Sequence, residues 1–389
     1  MRTFRYLFSP ILVLLLVTTA CAQRHTATAD DTLRADIGQM LLVGFRGTAV
    51  DENSTIVRDI RDYHIGGVIL FEYDAPTGKH HRNVASPKQL RQLTTQLQKW
   101  SKEPLWISVD QEGGRVARLK VSDGFAVATP SPKQMAAGGT DTVRYHASRT
   151  AAMLLDMGVN LNFAPCADVD VNPDCPVIGR LGRSFSADAS AVTDCCTAWL
   201  DGQSQEGVVG CLKHFPGHGS ASGDTHAGLV DVTDSWQERE LAPYRTLIAQ
   251  GKVPMVMMAH IVNRNIDTQY PASLSRRHVD LLRDKLGFQG VVVTDDMAMG
   301  AIVNQYGYNE AVALALEAGV DMLCLGNNGT SYNADIVPQT VDIILQLVRD
   351  GRVTAERIHQ SAERIRTAKK QIGSNKKPVT GTKGLKSEN

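Results

Sequence analysis

Residues 291–295, Val-Val-Val-Thr-Asp, form a short apolar run that ends on a carboxylate, and three other segments share this pattern. Leu-Trp-Ile-Ser-Val ends on Asp110, Val-Val-Gly-Cys-Leu ends on Lys213 and His214, and Met-Val-Met-Met-Ala ends on His260. Apolar runs of this length are typical of strands buried on both faces, as in a parallel sheet. In a (β/α)₈ barrel the strand ends meet on one face, where the active sites of this fold lie. The four runs therefore predict a barrel with these ionisable residues on one face.

Candidate strands alternate with helical segments from about Asp36 onward, and no linker rich in Pro, Ser or Gly interrupts the series. The alternation alone fits a closed barrel or a doubly wound sheet, and the polar strand ends favour the barrel. We expect an α/β fold with a single (β/α)₈ TIM barrel, an additional C-terminal helix at residues 354–372, and one catalytic domain over residues 30–374. The candidate strands are residues 40–45, 67–71, 105–110, 161–165, 208–213, 255–259, 291–295 and 322–325.

One helix start has a clear sequence signal. Ser235 and Glu238 have the spacing of a capping box, in which a Ser side chain and an acidic side chain three residues later satisfy each other's backbone N–H groups. The pattern predicts that a helix over residues 236–250 begins at this point.

The charge balance restricts the class of partner. The chain has 41 basic and 41 acidic residues and a net charge of zero. Nucleic acids are bound mainly by clustered Lys and Arg, and the basic cluster of this chain lies at residues 369–386, close to its end. We therefore expect no nucleic-acid partner, and we expect residues 375–389 to form a basic, disordered tail.

The first 22 residues have the features of a signal peptide. Arg2 and Arg5 precede an apolar run at residues 11–17, which is too short to span a bilayer, and small residues surround Cys21. Two cleavage patterns remain open. Ala20-Cys21-Ala22 fits ordinary secretion, whereas a Cys after small residues resembles a lipoprotein box, in which Cys21 would be acylated. We expect export to the periplasm or outer membrane, with any membrane attachment made through this lipid.

The six cysteines that follow Cys21 do not have the spacing of a zinc site. Cys211 and Cys324 lie inside apolar strand-like runs, where small buried thiols are common. Export permits disulfides, but a domain of this size does not need them. We expect no structural disulfide, no metal, no cofactor, and a monomer.

A loop rich in histidine follows the strand at residues 208–213. Residues 213–219 read Lys-His-Phe-Pro-Gly-His-Gly, and Asp224-Thr225-His226 come shortly after. A flexible loop with a His two residues from an Asp can bring a general acid to a substrate and withdraw it. The alternative is a solvated loop whose histidines have no role in catalysis.

These segments together resemble glycoside hydrolase family 3, in its β-N-acetylhexosaminidase branch, over nearly the whole mature chain. The resemblance is carried by residues 110–118 (DQEGGRVAR), 162–165 (NFAP), 182–185 (GRSF), 213–219 (KHFPGHG), 224–226 (DTH) and 294–297 (TDDM). It implies an exo-acting, retaining enzyme that removes terminal β-linked N-acetylglucosamine from peptidoglycan-derived or other glycans through a glycosyl-aspartate intermediate.

The resemblance also implies residue roles. Asp295 would be the nucleophile and His226 the acid/base, held by Asp224. The residues that would contact the sugar are Asp110, Arg118, Arg183, Lys213 and His214. Asp296 is the neighbouring candidate nucleophile, but successive strand residues point to opposite faces, and the resemblance selects Asp295.

Two segments depart from the family pattern, and several other functions remain open. Residues 227–230 read Ala-Gly-Leu-Val, where the family usually has Pro after Leu, and the stretch at residues 178–182 is longer than usual. A phosphorylase or β-glucosidase on the same fold is an alternative, as is a glycan-binding lipoprotein without catalysis. A metal-dependent hydrolase is another, with His214, His218, Asp224 and His226 as its ligands.

Overall fold

The computed structural model describes residues 30–370, so the signal peptide at residues 1–22 and the tail at residues 375–389 lie outside the described residues. The described chain contains a series of short, buried parallel strands, numbered here in chain order. They are β1 (Leu41–Gly44), β2 (Gly67–Ile69), β3 (Trp106–Val109), β4 (Leu161–Asn162), β5 in two parts (Val209–Gly210 and Leu212–Phe215), β6 (Met255–Met258), β7 (Val291–Thr294) and β8 (Leu323–Leu325).

The strands pair in two parallel sheets. Six of them follow the order β8-β1-β2-β3-β4 and then the first part of β5, and three follow the order β7-β6 and then the second part of β5. The break in β5 lies at Cys211. Between β7 and β8 there is a parallel bridge of Val293 with Met322, and the Thr294 N–H donates to the Met322 carbonyl at 3.0 Å. The chain therefore has the TIM-barrel-like α/β fold that the sequence predicts, and each predicted strand has its counterpart.

Amphipathic helices connect the strands and cover the outside of the sheets. In Pro87–Trp100, Ser86 caps the first turn by accepting a bond from the Gln89 N–H, and Leu90, Leu93 and Leu97 form the buried stripe. That spacing of three and four residues is the repeat of one helix face. The helices are residues 30–39, Thr55–Tyr63, Pro87–Trp100, Pro132–Ala137, Thr140–Asp156, Ala189–Gln205, Ala242–Ala249, Arg276–Asp280, Gly300–Tyr306, Tyr308–Ala318, Ile336–Arg349 and Ala355–Lys369.

The predicted capping box of Ser235 and Glu238 is wrong. The box is made instead by Gln237 and Glu240, and it begins a 3₁₀ turn, Glu238–Leu241, before the helix Ala242–Ala249. The Ser235 hydroxyl donates to the Val232 carbonyl at 3.4 Å, so this side chain belongs to the preceding turn.

The C-terminal helix Ala355–Lys369 packs outside the strands, where they begin. It buries Ile358, Ala362 and Ile365, and Arg366 binds Asp36 of the first helix at 2.7 Å. Within residues 30–370, no helix is long and apolar enough to cross a bilayer. The six cysteines in this range are buried, free thiols.

Candidate active site

The ends of the strands and the loops that follow them enclose a cavity of about 330 Å³. This volume is within the usual range for small-molecule sites. All eight site residues predicted from the sequence line the cavity: Asp110, Arg118, Arg183, Lys213, His214, Asp224, His226 and Asp295. The structure therefore brings together side chains from β5, from the ends of β3 and β7, and from the loops that follow β3, β4 and β5.

Lys213 is the buried cation of the cavity. Its side chain is only 2% exposed, and Nζ lies 2.8 Å from Asp110 Oδ1 and 2.6 Å from Glu112 Oε1. Burial disfavours the charged amine, but the two carboxylates outweigh burial and raise the pKa of Lys213. Burial likewise opposes the charge on Asp110, and Lys213 and Arg118 hold its pKa well below the ordinary value. This cluster is therefore fully charged near neutral pH.

Arg118 completes this side of the cavity. Its Nη2 lies 3.2 Å from Asp110 Oδ2, and its Nη1 lies 3.6 Å from Glu72 Oε1. Charged donors next to a carboxylate match the alternating donors and acceptors of a hydroxyl-rich ligand, and charge-assisted hydrogen bonds are the stronger ones.

Arg183 links three parts of the site. It makes a two-pronged ion pair with Glu112, and its Nη1 donates to the Val177 carbonyl at 2.9 Å. Its Nη2 lies 3.2 Å from His214 Nε2. Because an arginine only donates, this contact makes Nε2 the acceptor and leaves the ring proton on Nδ1.

Asp168 fixes the other side of His214. Its Oδ2 lies 2.7 Å from His214 Nδ1 and 3.0 Å from the thiol of Cys166. Its Oδ1 accepts the backbone N–H groups of His214 at 3.2 Å and His218 at 2.7 Å. One buried carboxylate thus holds the His214 ring, the backbone of β5 at His214, and the backbone of the following loop at His218.

Asp295 and Asp296 follow β7 and have different surroundings. Asp296 Oδ1 accepts the backbone N–H groups of Ala298 at 3.0 Å and Gly326 at 2.9 Å, which joins the loops after β7 and β8. Asp295 Oδ1 accepts the N–H of Asp296 at 2.8 Å. Both side chains line the cavity, but Asp296 Oδ1 holds the backbone of two loops, whereas Asp295, within the described part of the chain, accepts only the N–H of its neighbour.

The two carboxyl groups also differ in their pKa. Burial raises the pKa of Asp296 to about 6. Burial acts in the same direction on Asp295, but the nearby imidazole of His226 and the hydrogen bond from the Asp296 N–H oppose it, and the pKa of Asp295 is lowered. Asp295 is ionised near neutral pH, as a nucleophile must be.

His260 lies at the end of β6 and contacts the backbone of the Asp295–Asp296 segment. It is fully buried, with Nδ1 at 2.6 Å from the Ser273 hydroxyl and Nε2 at 3.0 Å from the Asp296 carbonyl. Since Nε2 must donate to the carbonyl, Nδ1 accepts from Ser273, and burial lowers the pKa of His260. The ring is therefore neutral and fixes the backbone next to Asp295.

His226 and Asp224 form a pair at the mouth of the cavity. His226 Nδ1 lies 2.7 Å from Asp224 Oδ1, which also accepts the His226 backbone N–H at 2.8 Å. The His226 side chain is 70% exposed. Because Asp224 occupies Nδ1, Nε2 is free to exchange a proton with a ligand.

The metal-hydrolase alternative grouped His214, His218, Asp224 and His226. Among residues 30–370, the His, Cys, Asp and Glu groups whose ligand atoms approach one another within 4.8 Å are a different set, Cys166, Asp168 and His214. These three are already bonded to each other through Asp168.

Three carboxylates that were not predicted from the sequence also contact the site residues: Glu112, Asp168 and Glu72. Glu112 stands two residues after Asp110, which directly follows β3, whereas Asp168 lies several residues beyond the end of β4. A carboxylate close to the end of a buried strand is a signal that could have marked Glu112 as a candidate, although not its partners, whereas Asp168 has no such local signal. Glu72 had a weaker signal, because it precedes a hairpin, Tyr73–Asp74 with Lys79–His80, that the strand pattern did not reveal.

Comparison with known proteins agrees with this geometry. Residues 32–368 match the family model of the glycosyl hydrolase family 3 N-terminal domain. The chain is 34% identical over 365 residues to beta-hexosaminidase LpqI of Mycobacterium tuberculosis, covering 91% of this chain and 87% of that protein. A glycoside hydrolase family 3 beta-N-acetylglucosaminidase from Paenibacillus sp. superposes with a TM-score of 0.79 at 34% identity, over 90% of this chain and 65% of that one. For the beta-N-acetylhexosaminidase from Beutenbergia cavernae, the TM-score is 0.76 at 29% identity, over 87% and 98% of the two chains. The chain belongs to glycosyl hydrolase family 3.

Proposed function

We propose that the protein is an exo-acting, retaining β-N-acetylhexosaminidase that removes terminal β-linked N-acetylglucosamine from peptidoglycan-derived or other glycans. One observation carries the proposal: an ionised Asp295 and the His226–Asp224 pair line the same cavity as a set of charged sugar-binding candidates. Relatives named beta-hexosaminidase support the substrate class.

In the first step, the Asp295 carboxylate attacks the anomeric carbon and forms a glycosyl ester. The bond to the leaving-group oxygen breaks, and His226 gives that oxygen its Nε2 proton. Asp224 accepts a hydrogen bond from the Nδ1 N–H of His226 and stabilises the imidazolium, while that proton stays on the ring. Asp295 needs no proton removed, because it is already ionised.

In the second step, water attacks the same carbon and releases Asp295. His226, now neutral, takes one proton from the water at Nε2 and returns to its starting state. Two inversions at the anomeric carbon give overall retention. The usual scheme has two carboxyl groups in these roles, and here an imidazole would replace the acid.

The charged cluster would bind the terminal sugar. Asp110 can accept from sugar hydroxyls while Lys213 and Arg118 donate to them, and all three are already paired in the free protein. His214 and Arg183 would contact the other edge of the ring. Because Glu112 and Asp168 fix these side chains beforehand, little conformational entropy is lost on binding.

The substrate class is tested by measuring the rate of aryl release from an aryl β-N-acetylglucosaminide and from an aryl β-glucoside, each with and without phosphate. We expect much faster release from the N-acetylglucosaminide and free N-acetylglucosamine as the product in both buffers. A preference for the glucoside would point to a β-glucosidase, and a sugar phosphate as the main product would point to a phosphorylase. Asp295→Asn is the matched control, since it keeps the shape of the side chain without its charge.

Export and attachment are a separate proposal. The basic start, the apolar run and Cys21 support an exported protein held at the membrane by lipid on Cys21. Replacing Cys21 by Ser should move the protein from the membrane fraction to the soluble fraction. A wild-type protein that is soluble after export would instead favour ordinary cleavage.

A further inference from the structure

Thr225 lies between the two residues of the acid/base pair in sequence, and it is buried whereas they are exposed. The side chains of Asp224 and His226 are 43% and 70% exposed, whereas Thr225 is 3% exposed. The Thr225 carbonyl accepts the Ala301 N–H at 3.2 Å, and the His226 carbonyl accepts the Gly300 N–H at 3.3 Å. The loop is thus pinned at its middle to the start of the helix that follows Asp295.

His218 contacts Thr225 from the other side. Its Nε2 lies 3.4 Å from the Thr225 hydroxyl, and its side chain is buried. Burial and the neighbouring His214 lower the pKa of His218 to about 4, so the ring is neutral near pH 7. His218 therefore cannot replace His226 as the acid, although both rings line the cavity.

The hydrogen-bond partners select one tautomer of His218. Among the residues that the structure describes, Nδ1 is buried without a partner. A neutral imidazole carries a single N–H, and an unsatisfied buried donor is costly. The proton therefore belongs on Nε2, where it is donated to the Thr225 oxygen.

The backbone of His218 leads back to the sugar-binding side of the cavity. Its N–H donates to Asp168 Oδ1, and the same carboxylate holds the His214 ring. A continuous series of hydrogen bonds thus runs from His214 through Asp168 and His218 to Thr225.

We infer that His218 and Thr225 are positioning residues that hold the acid/base loop, residues 223–228, in its working place over the cavity. The inference rests on the proposed function, in which His226 protonates the leaving group. The contact between the two side chains sets how often His226 is in place, and it leaves the Asp295 attack unchanged.

The variant that tests this is Thr225→Val, which keeps the shape of the side chain and removes the hydroxyl. Thr225→Ser is the matched control, because it keeps the hydroxyl. The measured quantity is kcat/KM for two substrates: an aryl β-N-acetylglucosaminide with a good leaving group, and the β-1,4-linked disaccharide of N-acetylglucosamine, whose leaving group needs protonation.

With the disaccharide, Thr225→Val should lose about 2- to 12-fold in kcat/KM, the contribution of one ordinary hydrogen bond. With the aryl substrate it should stay within about 2-fold, because an activated leaving group needs little protonation. Thr225→Ser should match the wild type on both. Hydrogen exchange of residues 223–228 should be faster in Thr225→Val than in Thr225→Ser.

Equal losses on the two substrates, or no loss with unchanged hydrogen exchange, would overturn the inference while leaving the proposed function intact. A wild-type protein that cleaves neither substrate would instead overturn the proposed function, and the inference with it. If the valine variant does not fold, Thr225→Ala replaces it, since alanine also removes the hydroxyl without adding a methyl contact.

Discussion

Arg183 donates two hydrogen bonds to Glu112, from Nε to Oε2 at 2.8 Å and from Nη2 to Oε1 at 2.7 Å. The Glu112 side chain is fully buried, and Lys213 Nζ lies 2.6 Å from Oε1. The carboxylate therefore compensates two cations that come from different parts of the chain. Without it, Arg183 and Lys213 would repel each other in a site with little access to water.

Glu112→Gln should destabilise the protein and weaken sugar binding together. Removing one partner of a buried ion pair typically costs about 3–5 kcal/mol, because the remaining charge stays buried. The measurement is the free energy of unfolding in urea, with KM determined in parallel. Glu238→Gln is the control, since Glu238 pairs with Arg245 on the surface at 78% exposure and should have little effect. Equal stability of the two variants would contradict this role of Glu112.

Glu240 should make stability depend on pH. It is fully buried, and burial raises its pKa from the ordinary 4.5 to about 7. Between these values the folded protein holds a proton that the unfolded chain releases, so the free energy of unfolding falls as pH rises. Glu240→Gln should remove this part of the pH dependence. The free energy of unfolding in urea at about pH 5 and about pH 7 measures this dependence. If it changes with pH as much in Glu240→Gln as in the wild type, Glu240 is not the group responsible.

Most of the side chains that meet in the cavity could be predicted from the sequence because their signals are local. Asp110, Lys213 and Asp295 each follow an apolar run, and a strand end is easy to recognise. Glu112 and Asp168 act by pairing with residues far away in the chain, Arg183 and His214, and no local pattern reports such a pair. The helix start predicted at Ser235 is also wrong. The Ser235 hydroxyl bonds to the Val232 carbonyl of the preceding turn, and Gln237 and Glu240 form the capping box two residues further along the chain.

His226→Ala and Asp224→Ala should lose activity mainly with substrates whose leaving group needs protonation. Loss of general acid catalysis should cost about 10² to 10⁴ in rate with a sugar leaving group and much less with an activated aryl group. Asp224→Ala should follow the same pattern more weakly, because the ring loses its partner at Nδ1 but remains present. Azide should restore turnover of the aryl substrate by His226→Ala and give a β-configured glycosyl azide. An α-configured product would contradict the assignment.

The proposed mechanism requires Asp295 to form the covalent bond to the sugar. A fluorinated N-acetylglucosaminyl fluoride, which forms the glycosyl ester faster than water removes it, should trap the intermediate. Peptide mapping by mass spectrometry should then find the sugar on Asp295, and the label should be lost in Asp295→Asn. A label on Asp296 or Asp224, or complete turnover of the reagent by Asp295→Asn, would contradict this role of Asp295.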